Sequence, residues 1–187
     1  MKKLLLAAAL STFACAASAD DRFYAGGNVA FWNYTEGSQD VEFNVSSVEG
    51  VVGFNVWNII NIEGRLGLGL EGSTETVSYI TNGATNPPQT ATLPTKLTLD
   101  NYASIYIKPE LKNDVATFYA LLGYTSASAS TENANIERDL DISGLSFGLG
   151  MGFFVTDDVL VNLEYRKLVQ DSDFKFDGFS LGFTIGF

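Results

Sequence analysis

From Asn61 to Glu71 the chain alternates: Ile62, Gly64, Leu66, Leu68 and Leu70 hold the even positions, and Asn61, Glu63, Arg65, Gly67, Gly69 and Glu71 the odd ones. A period of two gives a strand one greasy face and one polar or tiny face, whereas a helix would scatter these residues around its circumference. The pattern returns where Leu145, Phe147, Leu149, Met151 and Phe153 alternate with Gly and Ser, and where Val159, Val161, Leu163 and Tyr165 alternate with Leu160, Asn162, Glu164 and Arg166. It returns last in Phe179, Leu181, Phe183, Ile185 and Phe187, spaced by Ser180, Gly182, Thr184 and Gly186. No window outside the N-terminus is apolar for long enough to cross a membrane as a helix.

These runs predict eight strands, at about 22–33, 41–56, 60–75, 96–109, 115–128, 141–154, 159–170 and 174–187. The faces of the first, fourth and fifth are the least distinct. Connections alternate in kind. Those holding Tyr34–Asp40, Glu75–Thr95, Ser126–Asp139 and Val169–Asp173 are long or polar, and Thr85-Asn86-Pro87-Pro88 marks an exposed loop. Those at Trp57-Asn58, Glu110–Asp114 and Thr156-Asp157-Asp158 are tight.

Bulky residues on one face and Gly, Ser, Thr and Asn on the other suit a narrow barrel with lipid outside. A strand of about ten residues crosses the hydrocarbon when tilted. Closure removes the unpaired edges that hydrocarbon does not tolerate. The fold class is therefore all-β: an eight-stranded antiparallel up-and-down transmembrane β-barrel, long loops at one end and tight turns at the other. A soluble lipocalin-like barrel is the alternative. Phe23, Phe31, Trp32, Trp57, Tyr124, Phe153, Phe154, Tyr165 and Phe187 fall near strand ends, where interfacial aromatic girdles form.

The first residues read as a targeting segment. Lys2 and Lys3 precede an apolar run from Leu4 to Leu10, and Ala17-Ser18-Ala19 offers a small-x-small cleavage site. Residues 1–19 are thus a cleaved signal peptide, exported by the general secretory route, and residues 20–187 the barrel domain. Cys15 leaves with the signal; retention as a lipidated cysteine is the alternative. Composition then removes whole classes of chemistry. The chain has no His, and its one Cys lies in the signal, so imidazole bases, thiolate nucleophiles and Cys or His metal sites are excluded. No cofactor or metal is expected. Net charge is −11, or −13 without Lys2 and Lys3, the wrong sign for nucleic acid. Gly67-Leu-Gly-Leu-Glu-Gly72 spells a dinucleotide fingerprint but sits inside a strand, not between strand and helix.

Glu49, Glu63, Arg65, Lys108, Glu164 and Arg166 fall on the polar faces of strands. Counted from the tight turns, Glu49, Arg65 and Glu164 reach similar depth. Unpaired charges in an enclosed lumen are costly, so the six are expected to form an ion-pair network. It serves either as a structural plug or as a gate for small ions.

The strand-opening Phe23-Tyr-Ala-Gly-Gly, the paired Val51-Val-Gly-Phe-Asn and Ile62-Glu-Gly-Arg-Leu-Gly, then Tyr119-Ala-Leu-Leu-Gly-Tyr124 and Leu163-Glu-Tyr-Arg166, together resemble the small outer-membrane β-barrel family that includes the OmpA transmembrane domain and OmpX. The resemblance implies a Gram-negative outer membrane, and contact with its lipids and lipopolysaccharide. It also implies passage through periplasmic chaperones and the barrel-assembly machinery. Phe179, Leu181, Phe183, Ile185 and Phe187 resemble the C-terminal signal that this machinery recognises. With the chain ending at Phe187, no peptidoglycan-binding domain is expected beyond it. A monomeric, non-enzymatic structural or surface-interaction barrel is the leading expectation, a small pore the second, a membrane enzyme the third.

Overall fold

The computed structural model describes residues 22–36, 42–82, 89–133, 136–170 and 174–187. Its elements are β1 (Phe23–Glu36), β2 (Glu42–Trp57), β3 (Ile60–Glu71), β4 (Ser73–Asn82), β5 (Gln89–Lys112), β6 (Ala116–Asn133), β7 (Ile136–Phe154), β8 (Val159–Gln170) and β9 (Phe174–Gly186). All neighbouring pairs are antiparallel. β3 and β4 both pair with β5 and are two segments of one barrel strand, broken at Gly72. Eight strands therefore close the barrel, with β1 bonded to β9 along its length.

The tight turns are fixed locally. The Asn113 side chain accepts the backbone N–H groups of Val115 and Ala116 at 2.9 and 2.8 Å, and the Thr156 hydroxyl accepts that of Val159 at 3.1 Å. Short polar side chains that bond their own backbone favour turns over ladder continuation.

Around the wall the large apolar side chains face out. Leu145 is 73% exposed and Leu149 69%, and Leu66, Ile105, Leu122, Leu163 and Leu181 stand in the same belt. Water would not accept so continuous a band, and hydrocarbon does. A soluble barrel would turn these residues inward. Outward tyrosines carry polar partners at the belt's loop-side limit: the Tyr124 hydroxyl donates to Ser143 at 3.0 Å and the Tyr165 hydroxyl to Asp177 at 2.7 Å. Beyond them the outward positions become polar.

Two connections differ from the sequence expectation. Much of Glu75–Thr95 and Ser126–Asp139 is paired strand: β4 continues to Asn82, β5 begins at Gln89, β6 reaches Asn133 and β7 begins at Ile136. Thr74, Thr76, Val77, Tyr79 and Ile80 favour strand by their own preference, whereas the Ser-, Ala- and Asn-rich stretch after Ser126 is held as strand by its pairing between β6 and β7. Above the belt neither face meets lipid, so the alternation that marks a half-buried strand is missing. The Thr85–Pro88 stretch, the signal segment and its cleavage site lie outside the described residues.

Candidate functional site

All six charged residues picked from the sequence project into the barrel interior and are almost wholly buried; Arg65 is 2% exposed and Arg166 1%. Their strands bring them together by register, not by sequence proximity. Glu49 lies opposite Gly67, and Arg65 opposite Val51 and Ser104, while Glu164 and Arg166 lie opposite Gly150 and Gly148. The facing glycines leave room for long side chains to cross the bore.

Arg65 is the hub. Its guanidinium donates to Glu164 at 2.6 and 2.8 Å, to Glu49 at 3.0 Å, and also to Glu63. Arg166 donates to both oxygens of Glu49 at 3.0 and 2.9 Å, and its Nε lies 3.3 Å from Glu164. Lys108 closes the chain at the turn end, 3.2 Å from Glu63. Three carboxylates meet three cations, so the network is neutral within itself.

Neutral donors complete the carboxylate shells, and sequence reading missed them. Asn28 donates to Glu49 at 2.6 Å and Tyr102 to Glu49 at 2.9 Å. Tyr24 donates to Glu63 at 2.7 Å; Tyr119 and Ser180 donate to Glu164 at 2.8 and 3.1 Å. Every oxygen of the three carboxylates therefore accepts at least one hydrogen bond, as a buried charge requires.

The tyrosines reach inward by one device. Tyr24, Tyr102, Tyr106 and Tyr119 stand opposite Gly53, Gly67, Gly123 and Gly150 on the adjacent strand. A Cβ at any of these glycines would collide with the tyrosine ring. Each ring thus lies across a bare patch of backbone, a cross-strand cover for glycine. The legible signal was the spacing Tyr102, Ser104, Tyr106, Lys108, which puts four polar-tipped residues on one face of β5.

Toward the loop end the interior is apolar, which sequence reading also missed. Ala30, Trp32, Val45, Leu99, Tyr102, Ala127, Leu168 and Phe176 pack into one cluster, and Phe43, Leu97 and Ala129 into another above it. Trp32 is therefore not part of an interfacial girdle. It is 2% exposed, donates to Ser47 at 2.8 Å, and lies 5.0 Å under the Arg166 guanidinium. Phe31, its outward neighbour, faces lipid. The C-terminal residues Phe179, Leu181, Phe183 and Ile185 all face outward on β9, and the Phe187 N–H bonds Phe23 O at 2.9 Å. Among the described residues, no group of three His, Cys, Asp or Glu side chains is placed to hold a metal ion.

The fold is similar to several solved barrels. Ail, the attachment invasion locus protein of Yersinia pestis, superposes with a TM-score of 0.61 at 14% identity, over 90% of this chain and 100% of that one. Neisserial surface protein A gives 0.59 at 12% identity, over 88% and 97%. OprG from Pseudomonas aeruginosa gives 0.52 at 11%, over 88% and 94%. At such identities the likeness concerns fold. No curated protein sequence matches the chain. The family described as "Outer membrane protein beta-barrel domain" matches residues 4–187. The chain belongs to that family, which places it in the outer membrane of a Gram-negative bacterium.

Proposed function

We propose that this chain is a closed, non-enzymatic surface barrel, whose lumen is sealed by its own side chains and whose role is structural and interactive. The observation that carries this reading is the filling of the bore in two layers, a self-neutralised ion network under an apolar cluster. An eight-stranded barrel is just wide enough for side chains to fill. An ion would have to displace a bidentate Arg–Glu pair and then cross Trp32, Leu99, Leu168 and Phe176. The gate reading asks the same network to open, and the apolar layer above it speaks against that.

The interactive part of the proposal rests on the upper halves of β4, β5, β6 and β7. From Tyr124 to Asn133, β6 runs on for about 30 Å along the strand, paired throughout with β7. β8 pairs with β7 only from Phe147 downward. Among the described residues, β7 from Ile136 to Ser146 thus has a strand partner on one side only, and such an edge can accept another strand. Lipopolysaccharide and outer-membrane lipids are the proposed surroundings, with residues 1–19 as the export signal and a monomer as the working unit.

Conductance tests the seal. The refolded chain in a planar bilayer is expected to show no steady unit current above the bare membrane; a stable open level in the wild type would transfer the function to the small pore. The terminal strand has its own test. Phe187→Ser is expected to lower the amount reaching the outer membrane several-fold in cells while leaving refolding into detergent unchanged. Equal outer-membrane levels would remove the proposed role of Phe179, Leu181, Phe183, Ile185 and Phe187 as an assembly signal.

A further inference from the structure

At the turn end the barrel mouth opens into a cavity of about 400 Å³, lined among others by Asn61, Lys108, Glu110 and Thr117. That is space for roughly a dozen water molecules. Asn61 and Lys108 are register partners on β3 and β5, so their side chains enter the barrel side by side. Both are buried, as is Thr117. The Asn61 Nδ2 and the Thr117 Oγ1 have no hydrogen-bond partner. The Lys108 ammonium carries three N–H groups, yet one carboxylate oxygen, of Glu63, receives it. Its other neighbours are the ring faces of Tyr24 and Tyr119, at 4.9 and 4.3 Å.

Buried donors are ordinarily matched, because leaving them unmet carries the full cost of desolvation. Here an ammonium, an amide and a hydroxyl, all able to donate, lie against one water-accessible space. The ammonium and the amide N–H groups can only donate and the hydroxyl can do so, which suits an anion better than a cation. The rim limits its charge: it carries Glu110, Asp157 and Asp158 together with Arg22 and Lys112. A polyanion would meet three carboxylates, while a compact one passes to the floor.

We infer that the turn-side mouth is a binding site for a small oxyanion of the phosphate or carboxylate class, seated on Lys108 Nζ, Asn61 Nδ2 and the Thr117 hydroxyl. The site shares Lys108 with the ion layer above it, where Glu63 receives one of its N–H groups, and does not depend on the lumen being closed. Its ligand comes from the aqueous phase on the turn side, the periplasmic side in barrels of this build.

The test uses the full chain refolded in maltoside micelles free of phospholipid, with the Asn61 side-chain amide followed by ¹H–¹⁵N correlation. Inorganic phosphate and acetate are titrated separately against sodium chloride at matched ionic strength. A saturable shift of that amide with either oxyanion is expected, lost in Lys108→Met and about tenfold weaker in Thr117→Val. Thr117→Val changes one hydroxyl to a methyl, so it keeps the test open if Lys108→Met fails to fold. Linear shifts equal to those with chloride would overturn the site, as would saturable binding untouched by Thr117→Val. A response obtained only when phosphatidylglycerol is added would overturn the free-solute ligand in favour of a lipid headgroup.

Discussion

Arg65→Ala is expected to lower the barrel's stability by about 3–5 kcal/mol, the range for removing one partner of a buried charge network. Arg65 alone touches Glu49, Glu63 and Glu164. Without it three carboxylates share Arg166 and Lys108, and a net negative charge remains inside the wall. Tyr24, Tyr119 and Ser180 still donate to Glu63 and Glu164, but hydroxyls do not neutralise charge. Lys108→Met removes one contact to one carboxylate and is expected to cost less. The measurement is the urea midpoint of the fast-migrating, unheated band, for protein folded into lipid vesicles. Bilayer recordings of the same variant are expected to stay silent, because the apolar layer of Trp32, Leu99, Leu168 and Phe176 still crosses the bore; brief current steps would favour the gate. An Arg65→Ala protein with both the wild-type midpoint and a silent bilayer would sink the plug and the gate together. Adding Glu164→Gln to Arg65→Ala restores charge balance and is expected to recover part of the loss.

The same charges explain why the lower half of the barrel was readable from sequence. In β3 and β8 Glu63, Arg65, Glu164 and Arg166 share one face with Asn61, Gly67 and Asn162, and Ile62, Leu66, Leu68, Val161 and Leu163 stand on the other. Period two then separates lumen from lipid without ambiguity. β5 defeated that reading for a physical reason. Thr95, Leu97 and Leu99 face inward at odd positions, whereas Tyr102, Ser104, Tyr106 and Lys108 face inward at even ones. The register shift between Leu99 and Asn101 is the cause. One extra residue in a bulge flips every later side chain to the other face. A similar shift between Lys167 and Val169 turns both Leu168 and Val169 inward.

Strands β1 and β6 were obscure for another reason. Their inward residues, Ala30, Trp32 and Leu121, are as apolar as the outward Val29, Phe31 and Leu122. Alternation shows only when the two faces differ in polarity. Where the lumen is itself greasy, no contrast remains to read. The apolar layer near the loop end was therefore invisible, although the ion layer beneath it was not.

Gly67→Ala is expected to cost about 2–4 kcal/mol, more than its single methyl group suggests, by overpacking and by loss of a bond to a charged group. The new Cβ would occupy the space of the Tyr102 ring. A displaced ring loses its 2.9 Å bond to Glu49, its 3.2 Å contact with Ser47, and the edge-on packing against Trp32 at 5.9 Å. Ion layer and apolar layer are disturbed at once, because Tyr102 belongs to both. Gly64→Ala is the control on the same strand. Its Cβ would point outward and rest 3.7 Å from Val52, so a change of about 0.5 kcal/mol or less is expected, with a gain more natural than a loss. The decisive comparison is a double-mutant cycle with Tyr102→Ala. If the methyl acts by evicting the ring, then Gly67→Ala made on top of Tyr102→Ala should cost less than about 1 kcal/mol, and the coupling should exceed that value. Simple additivity would instead assign the damage to the β3 backbone. The pairing of lumenal tyrosines with facing glycines would then be a consequence of the barrel's narrowness, not a means of directing hydroxyls onto buried carboxylates.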